Sequence, residues 1–150
     1  MILAVRSRAA LVVLPLSVLV IGCNRSPYEL APVTGMVRVD GQPLSTGKVM
    51  FAPVSASDAI ESGKPAMGRL QPDGTFELST YKQGDGAVVG SHWVTIYGPR
   101  KNEAEFPPGV PEFERVSVRE GTMDVVTGQD NHFEIDIAAE DIRKFARKAD

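Results

Sequence analysis

The chain of 150 residues has one cysteine, two histidines and one tryptophan, and its 16 lysines and arginines nearly balance 19 aspartates and glutamates, for a formal charge of −3. A single cysteine excludes an intrachain disulfide framework and any zinc site built from several thiolates. The two histidines, His92 and His132, lie far outside the H-x-x-x-H spacing that places imidazoles on one metal. Without a basic excess there is no electrostatic footprint for a nucleic-acid partner, which needs clustered Lys and Arg to displace counterions from phosphates. Also missing are a G-x-S-x-G elbow, a G-x-x-x-x-G-K-[ST] phosphate loop and an alternating acidic EF-hand loop. These absences point away from an enzyme, and no cofactor or metal is implied.

Long apolar runs are scarce too, with one exception near the start. Sixteen of the first 22 residues are hydrophobic, and the only charges among them are Arg6 and Arg8. The run from Ala9 to Ile21 is 13 residues long, short of the roughly 20 that a helix needs to cross a bilayer. A basic start followed by a short apolar stretch reads as an export signal rather than a permanent span. It ends in Val20-Ile21-Gly22-Cys23, which resembles the bacterial lipobox, where a small residue precedes a cysteine that is lipidated and becomes the new N-terminus. Gly22 leaves room for a peptidase, and the Cys23 thiol is the one soft nucleophile available to form a thioether. The alternative is an ordinary signal peptide with a cysteine near its cleavage site. Each buried CH₂ of an acyl chain contributes about 0.8 kcal/mol, so several chains on Cys23 anchor the protein to a membrane permanently. Asn24 rather than Asp follows the cysteine, which by resemblance to known sorting rules favours the outer over the inner membrane. The expected location is therefore the cell envelope, lipid-anchored and extracytoplasmic.

Beyond the signal, 128 residues carry a charge of −5, enough chain for one domain. Residues 24–32 hold two prolines and no periodicity and read as a tether. From Val33 onward, short alternating runs broken by Gly, Pro and Asp predict an antiparallel all-β domain. Val33, Gly35, Val37 and Val39 share one face of the first run, and Asp40-Gly41 turns the chain. Gly47–Pro53 follows, with Val49 and Phe51 inward. Residues 66–71 and 75–80 flank a Pro72-Asp73-Gly74 hairpin turn. Lys82–Gly90 reads as a loop, His92–Tyr97 as a strand, and the proline-rich stretch 99–111 as a crossing at a sandwich edge. Runs at 115–119, 123–126 and 132–137 complete about eight strands, the count of an immunoglobulin-like sandwich. From Ala139 the period changes: Ile142, Phe145, Ala146 and Ala149 recur at helical spacing. Acidic residues occupy the first turn and basic ones the later turns. This tail is expected to lie on the domain or fray from it, rather than to bind a partner.

The turn and core residues Val33-x-Gly35-x-Val37-x-x-Asp40-Gly41-x-Pro43-Leu44, Gly47-x-Val49-x-Phe51-x-Pro53 and Asp73-Gly74-x-Phe76-x-Leu78-Ser79-Thr80 together resemble a carboxypeptidase-regulatory-like, or transthyretin-like, domain. Gly84-Asp85-Gly86-Ala87 and Gly90-x-x-x-Val94-Thr95-Ile96 are similar to the version found in small bacterial lipoproteins. The resemblance covers residues 33–137 and implies a Greek-key sandwich of seven to eight strands. It implies no activity, because none of the shared residues is catalytic.

Few positions remain as candidates for chemistry or contact. His92 shares a face with Val94 and Ile96 and is expected to be a packed, hydrogen-bonded core residue. Asp85, and Asp130-Asn131, offer oxygen ligands for Ca²⁺ but are better explained as turn residues. Strict alternation puts Trp93, Thr95 and Tyr97 on the outer face of the same strand. Two outward aromatics could offer a contact surface for protein or glycan, but the favoured expectation is that the proline-rich segment, with Phe106 and Phe113, folds over them as a satellite core, since aromatics are more often covered than bare. The functional expectation is a non-enzymatic, membrane-anchored module for adhesion, scaffolding or envelope interaction. Its partners would be the membrane, through Cys23, and an envelope protein or glycan. The competing expectation is a carbohydrate- or peptide-binding protein that uses Trp93 and Tyr97.

Overall fold

A computed structural model describes residues 27–55, 63–99, 105–118 and 121–146. The expected signal segment, residues 1–22 with Gly22 at its end, and the expected lipidation site Cys23 lie outside the described residues. In chain order the elements are β1 (Leu30–Ala31), β2 (Val33–Val39), β3 (Gln42–Pro43), β4 (Lys48–Pro53), β5 (Ala66–Arg69) and β6 (Thr75–Glu77), then β7 (Ala87–Val88), β8 (Gly90–Tyr97), β9 (Arg115–Ser117), β10 (Met123–Val125), β11 (Asn131–Ile137) and α1 (Ala139–Ala146). The chain is an all-β sandwich with one short helix at its C-terminal end. Eight of the strands have three or more residues, matching the count expected from the alternating runs.

Two sheets face each other. In one, β4 lies between β5 and β8, and the far edge of β8 is shared by β9 and β10. In the other, β2 pairs with β11 on one side and with both β3 and β6 on the other. Val33, Val37 and Val39 of β2, Val49 and Phe51 of β4, Val94 and Ile96 of β8, and Ile135 and Ile137 of β11 are all buried between the sheets. Phe51 holds the centre. Its ring lies 6.2 Å from Phe76 and 5.5 Å from Phe133, both on the opposite sheet, in tilted contacts. Full burial of one such side chain contributes roughly 1.5–3 kcal/mol, with aromatic pairing adding to it.

The expectation of a purely antiparallel domain is corrected by β11, which runs parallel to β2 in unbroken register from Asn131 opposite Val33 to Ile137 opposite Val39. Alternation specifies which face of a strand is buried but not its direction. A parallel pair needs a long connection, here supplied by everything between residues 39 and 131. The expected tether is also shorter than residues 24–32, because Leu30 and Ala31 pair with Val88 and Ala87. The same pairing places a two-residue strand inside the expected 82–90 loop. Both pieces are too short to show a period.

The turns behave as their residues require. Asp40 and Gly41 both adopt positive φ, 49° and 79°, the left-handed pair of a tight hairpin turn between β2 and β3. The Asp40 carboxylate accepts a hydrogen bond from the Ala139 backbone N–H at 3.0 Å, capping α1 from a distant part of the chain. At the next hairpin, the Asp73 carboxylate accepts from the Thr75 amide (3.0 Å) and the Thr75 hydroxyl (2.6 Å). These bonds hold its carboxyl below the ordinary 3.8. Ile142 is fully buried, so the helix is laid on the sandwich. Glu140 and Lys144 pair along its exposed side at 2.9 Å.

Gly35 marks the tightest point of the core. A Cβ there would collide with the Phe133 carbonyl oxygen and come within 2.6 Å of the Phe76 ring. Gly35→Ala is therefore expected to destabilise the fold by at least the roughly 1–3 kcal/mol of an overpacked core. Urea unfolding of the variant checks this, with a clear fall in midpoint at unchanged slope as the expected result.

Candidate functional site

The outer face of the β4–β5–β8 sheet carries the residues singled out on the aromatic strand. His92, Val94 and Ile96 of β8 point inward and are buried, while Trp93 is 55% exposed and Tyr97 is half-buried. Two neighbours explain the bare indole. Across β4 the residue opposite Trp93 is Ala52, too small to cover it. On the other edge, β9 pairs with residues 95–97 of β8 and β10 with residues 90–92, so among the described residues neither strand sets one opposite Trp93.

Phe106 and Phe113 do not form the expected lid over these aromatics. Their rings pack together at 5.2 Å, and Phe113 and Val110 join the main core. The Phe106 ring and the Phe113 carbonyl crowd Gly98, where a Cβ would lie 2.7 Å from the ring. Residues 105–113 therefore close the end of the sandwich beyond Tyr97, and Trp93 stays exposed among the described residues. The Tyr97 hydroxyl approaches the Met50 sulfur at 3.9 Å, so its ring leans over β4 instead of standing away from the sheet.

Strand register arranges this face in rows. Arg69, Lys48, Tyr97 and Arg115 lie side by side on β5, β4, β8 and β9. The next row holds Met67, Met50, Thr95 and Ser117, with Met67 44% exposed. Then come Ala52 and Trp93, and at the far end Ser91, whose hydroxyl bonds to the Asp124 carboxylate. Alternation along one strand reveals Trp93 and Tyr97. The basic and methionine neighbours come from other strands and depend on register, so the sequence reading did not find them.

The remaining candidates are occupied by the fold. Burial works against a charge on Asp85, but backbone N–H groups of Thr80 (2.7 Å), Tyr81 (3.0 Å) and Lys82 (2.7 Å) donate to its carboxylate and hold it below the ordinary 3.8. Asn131 is buried. Its amide accepts from the Val126 N–H at 2.8 Å and donates to the Pro32 carbonyl at 3.1 Å, tying the turn before β11 to the start of β2. Asp130 is exposed at that turn. His132 is exposed and shares a 3.0 Å hydrogen bond with the Thr34 hydroxyl. Among the described residues no three His, Cys, Asp or Glu side chains gather where they could hold a metal, and no helix is long and apolar enough to cross a membrane. Comparison with protein-family models, curated proteins and solved structures gives no match.

Among the described residues His92 is the one ionisable side chain buried in the core. It is 1% exposed, its ring lies 5.9 Å from that of Phe51, and its Nδ1–H donates to the Gly90 carbonyl at 2.9 Å. That bond leaves Nε2 as a bare acceptor with no partner among the described residues. Burial pushes its pKa below the ordinary 6.5, outweighing the backbone of Gly90 and Met123 and the Asp124 carboxylate, which favour the charged form. The unfolded chain thus binds a proton more readily than the folded one. Stability from neutral His92 is complete above 6.5 and declines as the pH falls from there toward the depressed value. His92→Phe is expected to flatten this part of the stability profile. Denaturant midpoints between about pH 5 and pH 8 measure it, and an equally steep profile in the variant would assign the dependence to another group.

Proposed function

We infer that this protein is a non-enzymatic lipoprotein, anchored through Cys23 and presenting its β-sandwich on the extracytoplasmic side of a membrane as an adhesion, scaffold or envelope-interaction module. The observation that carries the reading is the apolar run ending in Val20-Ile21-Gly22-Cys23; in the proposed protein the chain is cleaved between Gly22 and Cys23. The fold supports it by starting so close behind. Leu30 is already paired with β7, so only six residues separate the lipidated cysteine from the sandwich. At full extension this tether reaches about 25 Å, which keeps the domain near the bilayer. The non-enzymatic part of the reading is supported by the structural use of Asp85, Asn131 and His92. The likeness of the strand and turn residues to the carboxypeptidase-regulatory-like domain of small bacterial lipoproteins agrees with the same proposal. Asn24 at the position after the cysteine favours the outer membrane.

Mass spectrometry of the protein extracted from membranes is expected to find an N-terminal Cys23 carrying acyl chains. Cys23→Ser is expected to leave the apolar segment uncleaved and unlipidated. Cleavage at another bond, or an unmodified Cys23, would overturn the anchor.

The open outer face favours a second reading, a carbohydrate- or peptide-binding protein in which Trp93 and Tyr97 touch the ligand. Trp93 is the only tryptophan in the chain, so its fluorescence reports directly on that face. Titration with neutral glycans and peptides is expected to shift the Trp93 emission. A spectrum that stays constant across the panel counts against this reading and leaves the anchored-scaffold reading standing.

A further inference from the structure

We propose that the outer face of the β4–β5–β8 sheet binds an acidic polysaccharide, a sugar polymer bearing carboxylates, along the row Arg69, Lys48, Tyr97 and Arg115, with Trp93 as a second platform further down β8. The proposal deepens the second reading above and rests on it. Lys48 and Arg69 are directly opposed across β4 and β5, an arrangement in which like charges repel. Neither they nor Arg115 forms an ion pair among the described residues. Three cations in one row, with no carboxylate paired to them among the described residues, form a local positive site on a chain whose net charge is negative. An anionic occupant relieves that repulsion, and a guanidinium engages a carboxylate through two parallel hydrogen bonds.

The rest of the face selects a sugar polymer among anions. Tyr97 sits inside the cationic row, and its ring leans over β4 toward Met50, so an aromatic surface lies between the charges that flank it. Adjacent strands are about 4.8 Å apart, so the four-strand row extends about 14 Å, the footprint of an extended chain rather than of one small anion. Aromatic planes flanked by charged side chains suit a ring whose hydrophobic face stacks while its substituent carboxylate is paired. An acidic peptide gains main-chain hydrogen bonds mainly by adding to a sheet edge, and this is a sheet face, whose backbone groups are already used. Trp93 lies four residues along β8 from Tyr97, about 13 Å away, and is placed to stack on a further sugar.

The test titrates the protein as extracted from membranes, in detergent micelles, with polygalacturonate, following Trp93 emission and, independently, retention on the immobilised polymer. Polygalacturonate is expected to bind, and added salt to weaken it. Lys48→Gln combined with Arg69→Gln should lower affinity at least about tenfold, while thermal stability is unchanged or raised because the opposed like charges are gone. Tyr97→Ala should weaken binding and Tyr97→Phe retain it. Four results would overturn the proposal: no binding of the polymer, charge variants that bind as tightly as the parent, polyglutamate bound as tightly as polygalacturonate, or phosphatidylglycerol vesicles that bind through the same residues. If neutral dextran or a peptide shifts Trp93 while polygalacturonate does not, the acidic polymer is excluded and the broader reading of the face survives. Silence from every ligand removes both.

Discussion

The parallel pairing of β2 with β11 is the constraint on which the rest of the domain depends. It joins the first long strand of the sandwich to the last, residue by residue from Val33 and Asn131 to Val39 and Ile137. With Cys23 the one cysteine in the chain, no disulfide inside the domain assists it. β3 and β6 complete the sheet around this pair. Phe76 and Phe133 are presented to Phe51, and the second sheet packs against them. Polar contacts reinforce the pair at both ends: Asn131 binds the Pro32 carbonyl at one end, and Asp40 caps α1 at the other. A salt bridge between Arg38 and Glu134, 2.8 Å long and partly exposed, spans its outer face. Arg38 and its hydrogen bond hold the Glu134 carboxyl below its ordinary range, although an exposed pair of this kind adds little to stability.

The two outer faces of the sandwich differ in character, and that difference bears on function. On the β2–β11 sheet the outward side chains are matched to one another, Arg38 with Glu134 and Thr34 with His132. The outer face of the β4–β5–β8 sheet instead opposes Lys48 to Arg69 and leaves Trp93 and Met67 in solvent. A surface that serves only as a solvated exterior gains from the first arrangement and loses from the second. Asymmetry of this sort is what the proposed contact face would require: the core carries the fold while one exterior is free to be unfavourable in isolation.

Much of the fold is legible along the chain because its dominant force is local in pattern. Alternation in Val33–Val39 and His92–Tyr97 identifies the buried faces correctly, down to the inward His92, and Asp73-Gly74 marks its hairpin. What alternation does not encode is pairing. The direction of β11, the two-residue strands β1 and β7, and the row joining Arg69, Lys48, Tyr97 and Arg115 all arise from which strand lies beside which. The Phe106–Phe113 pair shows the same limit. Two aromatics in a proline-rich stretch announce a packed cluster, but only the closeness of Gly98 to both places that cluster at the end of the sandwich rather than over Trp93.

The β2–β11 ladder also has a mechanical meaning. The chain enters the fold beside the start of β2 and leaves it for α1 from the end of β11. Tension applied between residue 30 and the helix therefore pulls the two parallel strands in opposite directions along their own axes. All the hydrogen bonds of the seven-residue register share that load at once and cannot be opened one after another like a zip. A domain held at its N-terminal side and tugged at the other is thus joined at the place where a non-covalent fold best resists force.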